Sequence, residues 1–197
     1  MMPAGCPLCG APTGAHPTVC LRCAGHPPPV ERSLAVFEYV PPLSPLITAL
    51  KFNGRLANAR LLGQLWVRQL GPRLINEPRA ALLPVPLHPR RLRERGFNQA
   101  LELVRPLARR LAWPLYLRAV RRIKPTAHQI GLSMDERRAN LRAAFEVVRL
   151  PGKRVIIVDD VVTTGATVYE LARMLRQAGA EHIEVWSLAR TVQQGQA

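Results

Sequence analysis

The stretch at residues 154–167, RVIIVDDVVTTGAT, constrains the fold more than any other part of the 197-residue chain. Four apolar residues, Val155, Ile156, Ile157 and Val158, run without a break into two adjacent aspartates, Asp159 and Asp160. A continuous β-branched run of this kind is what a strand covered on both faces looks like. Behind the aspartates come Val161, Val162, Thr163, Thr164 and Gly165, then VYELARMLRQAGA with its apolar residues at helical spacing. Strand, turn and helix in that order is half of a βαβ unit. The chain is therefore expected to be an α/β protein, with a mostly parallel central sheet flanked by helices.

In an open parallel sheet, ligands bind beyond the carboxyl ends of the strands, and both aspartates stand at that end of residues 154–158. Thr163, Thr164, Ala166 and Thr167 supply backbone N–H groups and hydroxyls for an anion. Gly165 permits close approach, and the following helix directs its positive end to the same place. Two carboxylates would repel a bare phosphate. They suit a ligand that also carries hydroxyls, or a hydrated cation, and a sugar phosphate meets that description.

The rest of the chain supports the same architecture. Residues 34–40 suit a strand, and residues 44–70 read as helix on either side of a break at Asn53 and Gly54. Residues 81–87 suit a strand leaving the core. Asn98 is placed to cap a helix with Leu101, Val104, Ala108 and Leu111 on one face. Pro106 lies inside that pattern and should kink or shorten the helix. Residues 181–190 alternate as a last strand. Aromatic residues make up 5% of the chain, so an aliphatic core is expected.

All four cysteines lie near the N-terminus, as Cys6-x2-Cys9 and Cys20-x2-Cys23 with ten residues between the pairs. Paired C-x2-C turns present four thiolates to one metal, the donor set of a structural Zn²⁺ site. His16 and His26 are not needed as ligands. GHPPPVERS follows and reads as a linker, so residues 1–30 are expected to form a small zinc knuckle and residues 31–197 the main domain. No apolar run approaches the ~20 residues of a membrane span, and no signal peptide is visible. A cytosolic location with reduced cysteines is expected.

The formal net charge is +15 and the sequence pI about 11.3, pointing to a polyanionic partner or substrate. Residues 84–154 hold 17 Lys and Arg against 5 Asp and Glu, a balance of +12, whereas residues 155–197 hold 3 against 5. The positive field is central.

VIIVDDVVTTGAT resembles the phosphoribosyl pyrophosphate (PRPP) motif of type I phosphoribosyltransferases. PVPLHPRRLRERGFNQA, TAHQIGLSMDERRANLRAAF and the four-cysteine knuckle extend the likeness to the ComF family, over nearly the whole chain from Cys6 to about Arg190. The resemblance implies a type I phosphoribosyltransferase fold that binds PRPP with Mg²⁺. It also implies a role in natural transformation, the uptake of single-stranded DNA, beside a helicase-like competence ATPase. Asp159 and Asp160 would fix the ribose near the metal. Val161, Thr163, Thr164, Gly165, Ala166 and Thr167 would form the 5′-phosphate loop.

Arg90, Arg91, Arg93 and Arg95, followed by Gly96, would lie on a loop beside that site. The cluster suits pyrophosphate or a polynucleotide. Lys51, in LKFNGR, could reach a substrate phosphate or be a plain surface lysine. Residues 124–145 are long and polar, in the position of a flexible hood, with Lys124, Gln129, Arg137 and Arg138 as candidates to reach in. His128 is given no catalytic proton. Three functional classes remain open on sequence: a PRPP-binding transferase of unknown acceptor base acting in DNA uptake, a non-catalytic PRPP- or nucleotide-sensing adaptor docking the ATPase, and a nucleobase salvage enzyme.

Overall fold

The computed structural model describes residues 5–13, 16–124 and 144–191. In chain order its elements are α1 (Leu21–Gly25), β1 (Arg32–Glu38), α2 (Leu43–Asn53), α3 (Leu56–Leu74), β2 (Ala81–Pro84), α4 (Pro89–Arg95) and α5 (Gln99–Leu111). They continue with β3 (Val120–Arg122), β4 (Phe145–Val147), β5 (Arg154–Val162), α6 (Ala166–Gln177) and β6 (His182–Arg190). The main sheet is parallel, in the order β1-β6-β5-β2. β3 and β4 form a separate antiparallel pair.

Side-chain alternation on the central strands feeds two cores. Ile156, Val158, Trp186 and Leu188 pack on one face with residues from α2, α3 and α5. Val155, Ile157, Ile183 and Val185 pack on the other with α6, Val120 and Phe145. Both central strands are covered on both faces, which is why they carry so few polar residues. The core is mainly aliphatic, but Trp66 and Trp186 lie fully buried inside it and Trp113 stacks at a tilt on Trp186, 5.7 Å between centroids. Three tryptophans suffice to place aromatic rings at the centre of a chain otherwise poor in them.

Local signals set the element ends. Gly54 closes α2 in the left-handed conformation, with its N–H on Ala49 O. Asn98 caps α5 by accepting from Leu101 N at 3.3 Å, and its amide donates to Val85 O at 2.9 Å. The helix thus starts tied to the exit of β2.

Three expectations need correction. α5 is not shortened at Pro106 but runs on to Leu111, and the proline ring packs against α3 at Gly63, where an added Cβ would stand 3.0 Å from Pro106 Cγ. Its buried face is Leu103, Val104, Leu107 and Ala108, with Leu101 and Leu111 only half-buried. The paired α3 and β5 lie on that side, and each fully buried leucine contributes about 1.5–3 kcal/mol. The two outer strands are also shorter or shifted: β2 ends at Pro84, and β1 covers 32–38 rather than 34–40.

The two ends of the sheet differ in charge economy. Near the amino ends, the buried Glu184 accepts from Arg32 Nε at 2.9 Å, Arg154 Nη2 at 2.8 Å and Trp186 Nε1 at 3.0 Å, with His182 Nε2 at 2.8 Å. All four groups converge on the one carboxylate of Glu184. The candidate site lies at the opposite, carboxyl end of the sheet.

Candidate functional site

β5 brings Asp159 and Asp160 to the carboxyl edge of the sheet, Asp159 half-exposed and Asp160 buried. Each carboxylate accepts from the next amide: Asp160 N donates to Asp159 Oδ1, and Val161 N to Asp160 Oδ1, both at 2.9 Å. These short-range bonds hold both side chains in place without a ligand. Lys51, in the last turn of α2, places Nζ 2.7 Å from Asp160 Oδ2. Dense packing around Asp159 pushes its carboxyl up to about 8, with the neighbouring Asp160 adding to the rise and Lys51 opposing it. One of the two carboxyls is thus held near neutrality, as expected of like charges side by side.

Behind the aspartates the chain turns through Thr163 and Thr164 to Gly165, whose φ of 82° is left-handed. Gly165 begins α6, and Thr164 Oγ1 accepts from Ala166 N at 3.3 Å. No acidic residue stands in the first turn of α6, so its amide dipoles face the loop without a competing carboxylate. Asp159, Val161 and the loop from Val162 to Val168 surround a shallow depression of about 30 Å³.

The arginine stretch lies on a short helix, α4, where a loop was expected. His88 caps it through Nδ1, accepting from Arg90 N at 3.2 Å, with Pro89 in its first turn and a left-handed Gly96 at its end. β2 pairs with β5, and Val85 N donates to Val158 O at 2.8 Å, so α4 emerges beside the aspartates. Its arginines do not act alike. Arg90 pairs with Glu94 on the exposed face at 2.9 Å. Arg95 turns inward over the exposed Phe52 ring, 5.7 Å from its centroid, and into the field of Asp160. Burial, then the nearby Arg91, pull the Arg95 pKa down.

Arg122 on β3 was not among the sequence candidates. It lies in the field of both Asp159 and Arg91, and burial lowers its pKa. Its only sequence signal is membership of the basic run. Lys124 is exposed at the end of that strand; Gln129, Arg137 and Arg138 lie outside the described residues. The structure brings together Lys51, Arg95, Arg122 and the two aspartates, with Arg91 close by.

At the other flank of the loop, the four cysteine sulfurs lie within 4.8 Å of one another, with Cys9 Sγ 3.7 Å from Cys20 Sγ. A tetrahedron with Zn–S bonds of about 2.3 Å has edges near 3.8 Å, so the donors fit that metal. Tight turns build the site: Cys6 N donates to Ala11 O and Gly10 N to Cys6 O, both at 2.7 Å, and Cys23 comes from α1. Burial raises the Cys6 thiol, but backbone N–H groups of Cys20, Cys9 and Leu8 outweigh it and bring it to about 7. Burial pushes the Cys9 and Cys23 thiols up.

Two arginines face this cluster. Burial opposes the charge of Arg22, and the hydrogen bond to Cys9 together with the fields of Cys9, Tyr169 and Cys23 more than offsets that. Arg190, at the end of β6, is 3% exposed, and its Nε and Nη1 find no hydrogen-bond partner among the described residues. A buried guanidinium without a carboxylate calls for other negative charge. Four thiolates around a divalent cation would carry a net charge of −2 and would supply it. The knuckle also docks on β1, through Ser33 N to Pro7 O and Ser33 Oγ to Leu8 O, both at 2.7 Å.

A parallel sheet ending in paired aspartates, a threonine–glycine loop and a helix amino end defines a phosphoribosyltransferase-type protein, and residues 98–196 match the phosphoribosyl transferase domain family. Similarity to curated proteins extends past that domain. The chain is 42% identical over 195 residues to DNA utilization protein YhgH of Escherichia coli strain K12, covering 95% of this chain and 84% of that one. It is 37% identical over 192 residues to Competence protein F of Haemophilus influenzae, covering 94% and 84%. It is 28% identical over 158 residues to Competence protein ComFC of Streptococcus pneumoniae, covering 79% and 67%. The chain belongs to the ComF family of phosphoribosyltransferase-fold proteins. Among the described residues, no helix is long and apolar enough to cross a membrane.

Proposed function

We propose that this chain binds PRPP with Mg²⁺ at the end of β5 and serves in the uptake of single-stranded DNA into the cytosol, beside a DNA-translocating ATPase. The observation that carries the PRPP reading is the junction of Asp159 and Asp160 with the threonine–glycine loop at the start of α6. Thr163, Thr164, Gly165, Ala166 and Thr167 take the 5′-phosphate, and the aspartates accept bonds from the two ribose hydroxyls. Arg91, Arg95 and Arg122 stand where a pyrophosphate group would extend, and charge-assisted bonds from arginine suit it. Mg²⁺ would neutralise the pyrophosphate and lower the barrier to its departure. Ligand entry requires Lys51 to give up part of its hold on Asp160, and its ammonium is then available to a phosphate oxygen.

The DNA reading rests on the names of the relatives and on the central basic stretch. Exposed Arg90 and Arg93, with Phe52 exposed beside Arg95, give a cationic surface with an aromatic face, the combination that single strands use. Zn²⁺ held by Cys6, Cys9, Cys20 and Cys23 is structural, since four thiolates leave no open coordination position. Calorimetry of the purified chain with PRPP and Mg²⁺, followed by a nucleobase screen for pyrophosphate release, tests the site. Micromolar or tighter binding supports it, and no binding heat at millimolar PRPP rejects it.

A further inference from the structure

Tyr169 joins two sites that are far apart in sequence. One side of its ring fills the space that a side chain on Gly165 would need: a Cβ built there would stand 2.2 Å from Tyr169 Cε2 and 2.6 Å from Cζ. The ring therefore presses directly on the glycine at the turn of the phosphate loop. The other side packs against the cysteine cluster. Its hydroxyl is buried without a hydrogen-bond partner among the described residues, within the field of Arg190, Cys9, Arg22 and Cys23. Arg190 closes the row: its Cδ would lie 3.7 Å from a Cβ on Gly10, inside the knuckle turn. A cavity of about 580 Å³ beside the ring is walled by Arg22, Cys23 and His26 of the knuckle and by Thr164 and Ala166 of the loop.

From this packing we propose that Tyr169 is a positioning residue that couples the four-cysteine site to the phosphate loop, so that metal in the knuckle raises the loop's affinity for PRPP. The inference rests on the PRPP reading of the loop. Small four-cysteine knuckles take their fold from the metal. Without it, Tyr169 loses the wall on its far side and Arg190 its counter-charge, and only packing on the sheet core is left to hold the ring against Gly165. The loop must then be ordered by the ligand itself, and affinity falls by that cost. Couplings between sites of this type fall at about 5–150-fold.

The test uses the full chain, zinc-loaded and chelator-stripped, in two arms. In the first, amide exchange is followed over residues 161–168 with no ligand present. Stripping should deprotect these amides while the centres of β5 and β6 keep their protection. In the second, PRPP with Mg²⁺ is titrated into both forms, and stripping should weaken binding within the coupling range above. Tyr169→Phe keeps the ring and should behave as the natural chain. Tyr169→Ala should bind PRPP as weakly as the stripped chain and should no longer respond to zinc, while still holding about one zinc per chain.

Loop exchange that is the same with and without zinc overturns the coupling, whatever PRPP does. Absence of PRPP binding to the loaded chain overturns the ligand reading instead, and the exchange arm alone then decides the mechanical link. If Tyr169→Ala does not fold, the stripped and loaded natural chain and the Phe variant still decide it: a Phe variant blind to zinc rejects the ring as the connector.

Discussion

Lys51 Nζ stands 2.7 Å from Oδ2 of Asp160, joining the last turn of α2 to the end of β5. Both partners are largely buried, at 20% and 5% side-chain exposure. Removing one therefore leaves a charge with little access to water. Lys51→Met should cost about 1–3 kcal/mol of stability, the range for stranding a buried polar partner. Asp160→Asn in the same chain should recover part of that loss, because the stranded carboxylate is gone. Denaturant unfolding of the two single variants and the double gives the coupling energy. Strictly additive losses would mean that the pair is not an interacting unit.

Asp159 makes stability depend on pH in an unusual direction for a carboxyl. Its folded-state pKa is raised to about 8 from an ordinary 3.8. The folded chain therefore keeps a proton that the unfolded chain has lost, and stability attributable to this group falls as pH rises from about 4 through about 8. Asp159→Asn removes the titration while keeping an acceptor for Asp160 N. The melting temperature of Asp159→Asn minus that of the natural chain should grow from pH 5 to pH 8 and level off above. A difference that is flat over this range would show that Asp159 is already ionised at pH 5.

Much of this was legible in the sequence, and the reasons differ by element. β5 was visible because a run covered on both faces is almost purely apolar, and its end was marked by charge. Gly54 and Asn98 were visible because a left-handed glycine and a capping asparagine act within a few residues. α4 was readable in principle, with a proline in its first turn and Gly96 after its last, but its arginines drew attention as ligands before they were read as helix formers. The buried face of α5 was misjudged because period alone fixes a stripe to within about one residue, and the choice between Leu101 and Leu103 lies with α3. Arg122, Tyr169 and Arg190 act across 30 to 180 residues of chain. Nothing local distinguishes them from any other arginine or helix tyrosine, since their meaning comes from what the sheet carries to them.

The four sulfurs predict metal content and its consequence. Purified chain should contain about one zinc, and chelation should release it. Cys6→Ser or Cys20→Ser should abolish tight retention and unfold roughly the first 25 residues, because the knuckle has few buried groups besides its ligands. The sheet, with two cores of its own, should persist. Elemental content and near-ultraviolet dichroism of each variant read the two outcomes, and a metal-free chain with an ordered knuckle would reject the site.

The arginines of α4 predict a salt signature. Each phosphate neutralised on single-stranded nucleic acid contributes about −0.7 to the slope of log affinity against log salt. Replacing Arg90, Arg91, Arg93 and Arg95 together by Gln should flatten that slope by about two to three, given that Arg95 faces Asp160 and Phe52 rather than open solvent. Fluorescence anisotropy with an unstructured oligonucleotide at several salt concentrations measures it. An unchanged slope would place the DNA surface elsewhere on the chain.

Asp159 and Asp160 separate the two proposed ligands. Asn at both positions keeps side-chain size, and the amide oxygens can still accept from Asp160 N and Val161 N, so the end of β5 should stay in place. What is lost is the negative charge that accepts ribose hydroxyls and favours a hydrated cation. A charge-assisted hydrogen bond contributes about 1.5–3 kcal/mol, so two of them amount to a loss of at least ~100-fold in PRPP affinity. In the ligand-free chain the same change removes the negative charge of Asp160 beside Arg95. It should therefore leave single-stranded DNA affinity equal or slightly higher, by attraction at long range. PRPP and oligonucleotide titrations on one preparation, with thermal melting as the folding control, make the comparison internal. A folded variant that binds PRPP as tightly as the natural chain would remove the aspartates from the ribose site, and a parallel loss of both ligands would mean that one surface serves both.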